Sequence, residues 1–201
     1  MLTLSTFTAY ACNMIDTTRG RLVAAASRLL DAGGQGAVTL RAVAEAVGVS
    51  HNAPYRHFRD RSAILAAVAE RDLDGLKRAF LEADNKPRAR ASLEAAIGSM
   101  IVYAREHPAR YRLLFSDPDL VSTDGTLQVA ALGSFQVFAA IVRRCQLEGS
   151  LRPMETARMT GLIYAALHGA IDLELGGRAS EAKGLCSVEA TLDLLLDLLA
   201  H

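Results

Sequence analysis

Apolar residues recur at helical spacing along most of this 201-residue chain, and no stretch alternates convincingly with a period of two. Between Asp16 and Ala32, residues Leu22, Val23, Ala26, Leu29 and Leu30 fall on one stripe, the pattern of a helix that buries a single face. Asp16 or Thr17 is placed to cap this helix, and Gly33-Gly34-Gln35-Gly36 to end it. A second, short helix starts at Thr39 and sets Val43, Ala44 and Val47 on one face. Gly48 follows, where a chain leaving a helix often takes a left-handed backbone that glycine adopts at little cost. Val49 is an apolar plug, and Ser50 is expected to cap a third short helix over roughly His51–His57. Phe58, Leu40, Val43, Leu65 and the first helix's stripe should together close a small core.

The pattern continues in longer helices. One begins at Arg59-Asp60-Arg61-Ser62 and runs to about Ala83; Asn85-Lys86-Pro87 then breaks it. Others are predicted over about Ala89–Glu106, Pro108–Phe115, Gly125–Glu148, Glu155–Leu175 and Ser187–Ala200, with Pro108 suited to a first helical position. Asp117-Pro118-Asp119 and Leu151-Arg152-Pro153 read as turns, and Gly176-Gly177 closes the penultimate helix. The fold class is therefore all-α, with about nine helices. Residues 16–62 form an N-terminal three-helix head, residues 63–201 a larger helical domain, and the helix over 63–83 connects them. Residues 1–15 lack the basic start and apolar centre of a signal peptide and are expected to be a disordered extension, with Met14 an alternative start.

Composition fits packed helices: 51% of residues are apolar and only 5% aromatic. The formal net charge of zero argues at first against a nucleic-acid partner, but its distribution does not. From Arg19 to Ser62 seven arginines face only Asp31, Glu45 and Asp60, so the head carries a surplus of four positive charges and the rest a matching deficit. Cys12, Cys145 and Cys186 are isolated and odd in number, which argues against a disulfide framework or zinc site and fits a reducing cytoplasm. No apolar run reaches the ~18–20 residues of a membrane span, so no membrane association is expected.

The third helix, together with the head's charge, points to DNA. It carries groups that reach a base edge or a phosphate (His51, Asn52, Tyr55, Arg56 and His57), and a helix, a glycine-bearing tight turn and a second helix make the geometry that docks in a major groove. Thr39, Arg41, Val43, Ala44, Glu45, Gly48, Val49, Ser50, Tyr55, His57 and Phe58 resemble, in order and spacing, the tetracycline-repressor (TetR) type of bacterial transcription regulator. The resemblance extends through Arg19–Gly34 and Arg59–Arg71, about a quarter of the chain. Asn52, where a glycine is common, and Pro54 depart from the family pattern.

From the residues, Thr39 is placed to offer its hydroxyl and nearby backbone N–H groups to a phosphate. Arg41, Ser50, His51, Asn52 and Ala53 are the candidates for base-edge contacts, since Arg pairs with guanine, Asn with adenine and an alanine methyl touches thymine. The resemblance adds Tyr55, His57 and Arg61 as clamps on the phosphate backbone. It also implies a homodimeric regulator, most readily a ligand-responsive repressor, on a palindromic operator of double-stranded DNA, with an unknown small-molecule effector. One such head buries little surface, so specific binding calls for two.

The last two long helices are the expected dimer interface, because both are apolar on several sides. Leu167, Ile171, Leu175, Leu194, Leu195 and Leu198 are its candidates, with burial inside one chain as the other reading. Met100, Tyr103, Tyr111, Phe115, Phe135, Phe138, Tyr164 and His168 are candidates to line an effector pocket, although plain core is the more common role of any one such residue. Tyr164…His168-Gly169 resembles an aromatic–x3–His–Gly signature of one TetR subgroup, and Asp172, one turn on, is the expected partner of His168. No catalytic constellation, metal site or cofactor motif is found: Gly33–Gly36 lacks a phosphate-loop ending, and His107, His168 and Asp172 stand isolated. A helical ligand-binding or scaffold protein with a non-DNA partner is the alternative, against which Arg41, Tyr55 and His57 weigh, because a protein-binding face would expose apolar anchors.

Overall fold

A computed structural model describes residues 17–117, 120, 125–185 and 187–200. The expected extension over residues 1–15, Asp16, Cys12 and Cys186 lie outside the described residues. Among the described residues there are eight α-helices and no strand: α1 Thr18–Gly33, α2 Leu40–Val47, α3 Arg61–Ala83, α4 Ala89–Glu106, α5 Pro108–Ser116, α6 Thr126–Leu147, α7 Thr156–Leu175 and α8 Val188–Leu198. Three short 3-10 turns join them, at Gln35–Ala37, Pro54–Arg56 and Glu181–Lys183.

Local chemistry sets the boundaries. Thr17, Thr39 and Ser187 cap α1, α2 and α8 by accepting the backbone N–H of Gly20, Ala42 and Ala190, which would otherwise lack a partner in the first turn. Asp60 does the same for α3, its carboxylate accepting from the N–H of Ala63 at 2.8 Å. Pro108 opens α5, where its missing N–H costs nothing. Gly48 ends α2 at φ 74°, and the N–H groups of Gly48 and Val49 close back on the carbonyls of Glu45 and Ala44.

The chain divides into two compact units. The first comprises the described residues up to Gly75 together with those within 107–131, and the second comprises Leu76–Glu106 and the described residues from Leu132 onward. The core of the first unit joins Leu22, Val23, Ala26 and Leu30 of α1, Leu40 and Val43 of α2, Phe58, and Ile64, Leu65 and Val68 of α3. Leu113 of α5 completes it, with Ala109 and Leu120 packed against it. Beside this core lies a buried ion cluster. Arg110, 8% exposed, donates to Asp31 of α1 at 2.9 Å and to both oxygens of Asp72 of α3 at 3.2 Å.

In the second unit α4, α7 and α8 bury Leu93, Ile97, Met100, Ile163, Leu167, Ile171, Leu192 and Leu196. Arg105 of α4 binds both Glu174 of α7 and Glu189 of α8, at 2.7 and 2.6 Å. These pairs hold both carboxyls below the usual carboxylate range.

Two expectations are corrected here. The segment His51–His57 is not a regular helix: turns lead into a 3-10 turn at Pro54–Arg56, capped by Ala53 without a side-chain bond. Pro54 has no N–H to give the Ser50 carbonyl, and its ring would clash there in an α-helix. The Ser50 carbonyl instead accepts from Ala53 at 2.9 Å, so Ser50 joins the turn through its backbone. Secondly, α6 is long and apolar enough, by length and composition, to cross a membrane. It buries Phe138, Ile141, Val142 and Cys145 within the second unit.

Candidate nucleic-acid interface

The segment Ser50–Phe58, expected to read DNA, is held from beneath and open above. Pro54 and Phe58 are buried, Val49 packs against the core of the first unit, and Ala53 is half-buried. Between these anchors Ser50, His51, Asn52, Tyr55, Arg56 and His57 are exposed, Tyr55 by 60% despite its aromatic ring. A large ring left in water on a segment otherwise rich in donors marks a contact surface better than a packing position. Arg41 is exposed on α2. The Thr39 hydroxyl oxygen already accepts from Ala42 at 3.1 Å, so Thr39 caps its own helix and has only its O–H left to give.

Arg61 is placed differently from the expected phosphate clamp. Its Nε donates to the Val38 carbonyl at 2.9 Å and its Nη2 to the Gln35 carbonyl at 2.6 Å, which fastens the loop between α1 and α2 to the start of α3. Arg21 is similarly engaged, donating to the Val47 carbonyl at the end of α2 at 3.2 Å. Arg19, which the pattern alone did not single out, lies over the ring of Phe58 at 5.3 Å. Nothing in the sequence pairs positions 19 and 58; the packing of α1 against the reading segment does.

The candidates for an effector pocket fall into two groups. Tyr111 and Phe115 belong to the first unit, their rings 5.0 Å apart. Met100, Tyr103, Phe135, Phe138, Tyr164 and His168 belong to the second. There Tyr164 is the hub, 5.3 Å from Phe135, 6.2 Å from Phe138 and 4.2 Å from His168 by ring centres. Phe80, 5.5 Å from Phe138, extends the cluster and was missed because it lies on the helix read only as a connector. Burial pushes the Tyr164 hydroxyl up to about 12 and the His168 imidazole down to about 4. Asp172 is engaged elsewhere than at His168: its carboxylate takes the guanidinium of Arg178 at 2.5 Å.

Of the interface candidates, Leu167 and Ile171 are corrected to core, only 1% and 2% exposed within the chain. They face inward because α7 packs against α4 and α8 within one unit, and no surface remains on them for a partner. Leu175 and Leu195 are half-buried, while Leu194 and Leu198 stand 62% and 65% exposed on α8. Leu162 of α7 is exposed as well.

Two family profiles match the chain. Residues 22–68 match that described as "Bacterial regulatory proteins, tetR family", and residues 93–199, more than half of the chain, match "Tetracyclin repressor-like, C-terminal domain". The chain belongs to the TetR family of helix-turn-helix, DNA-binding transcription regulators.

Among individual proteins, it is 31% identical over 120 residues to the HTH-type transcriptional activator FasR of Mycolicibacterium smegmatis, across 57% of this chain and 52% of that one. The chain thus spans about half the length of this curated relative. A structure of a protein of unknown function from Rhodococcus sp. RHA1 superposes with a TM-score of 0.76 at 28% identity, covering 92% of this chain and 94% of the other. The TetR-family regulator PfmR from Thermus thermophilus has the same fold, with a TM-score of 0.65 at 21% identity over 90% and 97% of the two chains.

Proposed function

We propose that this protein is a cytoplasmic, ligand-responsive regulator that binds a palindromic operator as a homodimer and represses transcription from it. The observation that carries the reading is the segment Ser50–His57. Buried Pro54 and Phe58 fix it from below while His51, Asn52, Tyr55, Arg56 and His57 face solvent, on a head with a surplus of positive charge. Phosphate contacts supply affinity, and a few side chains among Arg41, Ser50, His51, Asn52 and Ala53 supply base choice. Tyr55, His57 and the remaining O–H of Thr39 are suited to the backbone.

Exposed Leu162, Leu194 and Leu198 support pairing through α7 and α8, because large apolar side chains left in water on neighbouring helices are stabilised by a second copy. The ring cluster around Tyr164 supports an effector site that is apolar, with Tyr164 and His168 both uncharged near neutrality. An effector acts by favouring a head spacing that no longer matches the two half-sites, and by no more than its differential affinity for the two states.

The test is selection of bound duplexes from a randomised DNA pool, with Tyr55→Ala as control. Enrichment of a palindrome by the native protein alone supports the reading. No enrichment at low salt, even after denaturing and refolding to strip a bound ligand, overturns it in favour of a non-DNA partner. A reporter driven from a promoter bearing that palindrome then decides the direction of regulation, which the FasR relative's name gives as activation for that protein.

A further inference from the structure

We infer that Arg19, on the first turn of α1 and outside the helix-turn-helix, is a phosphate-contacting residue of the DNA interface. The inference rests on the DNA-binding reading above and adds to it a contact that the sequence did not reveal. The arginines of the head direct their donors to different places. Arg61 gives them to the carbonyls of Val38 and Gln35, and Arg21 gives one to the carbonyl of Val47. Arg59 is paired with Asp60 at 2.9 Å. Arg28, Arg41 and Arg56 are exposed side chains with nothing fixing them among the described residues.

Among the described residues of the head, Arg19 is an arginine held in place with its guanidinium N–H groups unengaged. Its guanidinium carbon stands 5.3 Å from the centre of the Phe58 ring. That ring is 3% exposed and belongs to the core of the first unit, so it is a rigid platform. A cation–π contact is an electrostatic attraction of the whole cation to the ring face and is not itself one of the five N–H hydrogen bonds that a guanidinium can give. The contact holds Arg19 over the ring, and among the described residues its guanidinium makes no hydrogen bond or ion pair. An arginine held this way loses less rotamer freedom on binding than Arg41 or Arg56 would, and its planar fork matches two phosphate oxygens.

The surroundings fit an anion. His57 is next to Phe58 in the chain, with ring centres 6.4 Å apart, so Arg19 and His57 flank one platform at the end of the reading segment. The first turn of α1, Thr18–Arg21, carries no acid. Asp60, the acidic residue of the following loop, is held by Arg59 and by the N–H of Ala63.

The experiment measures affinity against salt for the native protein, Arg19→Gln, Arg19→Lys and Arg61→Gln, on the selected palindrome and on an unrelated duplex. Each phosphate contact contributes close to one unit to the log–log salt slope. Arg19→Gln is expected to reduce that slope by about one and to weaken binding about tenfold on both duplexes alike, leaving base preference unchanged. Arg19→Lys is expected to retain the slope and lose part of the affinity, because an ammonium keeps the charge but not the fork. Arg61→Gln is expected to keep the slope and lower the melting temperature. Palindrome binding by the native protein with an unchanged slope in Arg19→Gln overturns the inference and leaves the DNA reading standing. Absence of specific binding by the native protein at any salt overturns both.

Discussion

Gly48 and Arg61 show how differently single residues disclose their roles. The left-handed backbone at Gly48 is local: a chain that must leave α2 and turn at once needs φ near 74°, and glycine alone reaches it without strain. No atom lies within 4 Å of where a Cβ would stand, so Gly48→Ala costs only backbone strain. That strain is about 1–2 kcal/mol, and urea unfolding should show it as a lower midpoint with an unchanged slope. The sequence made this position legible. Arg61 was not, because an arginine at the start of a helix suits a phosphate and a carbonyl equally well, and only the fold shows that two carbonyls lie within its reach. Asp172 misled in the same way, since spacing along a helix put it beside His168 but could not reveal the competing Arg178.

At the scale of elements, helix boundaries were read closely and one helix wrongly. The α4 range Ala89–Glu106 came out as predicted, because its ends depend on neighbouring breaks and caps. The third helix of the head became a 3-10 turn because one proline outweighed the pattern around it. Helix α5 holds the other surprise. Although it lies far along the chain from the head, it supplies Leu113 to the core of the first unit and Arg110 to the ion cluster with Asp31 and Asp72. Asp72 is itself buried, so Arg110→Met removes both hydrogen bonds that its carboxylate accepts from Arg110 and leaves it the longer pairing with Arg71 at 3.8 Å. A loss of about 3–5 kcal/mol is expected in urea unfolding. Changing Asp72→Asn in the same chain should recover much of that, whereas an equal loss in single and double variants would place the cost in packing instead.

For the whole molecule, two solution properties follow. Paired Leu194→Glu and Leu198→Glu changes put charge on the exposed face of α8, and light scattering should then report a monomer with sharply weakened palindrome binding. A dimer that persists would move the interface off α8. Acid stability should show His168. Burial lowers its folded pKa to about 4 from an ordinary 6.5, so the unfolded chain binds the extra proton first. Stability is therefore complete above pH ~6.5, falls as the pH drops toward 4, and levels off below it. His168→Gln should flatten that limb in melting temperatures taken across the range. By itself the sequence determined the all-α class, the course of most helices and, through resemblance, the family, because caps, breaks and apolar stripes act over a few residues. Only the tertiary structure decided which arginines are free, which leucines are core, and that α5 completes the core of the first unit. Those answers depend on which distant groups meet, and periodicity along a chain carries no record of that.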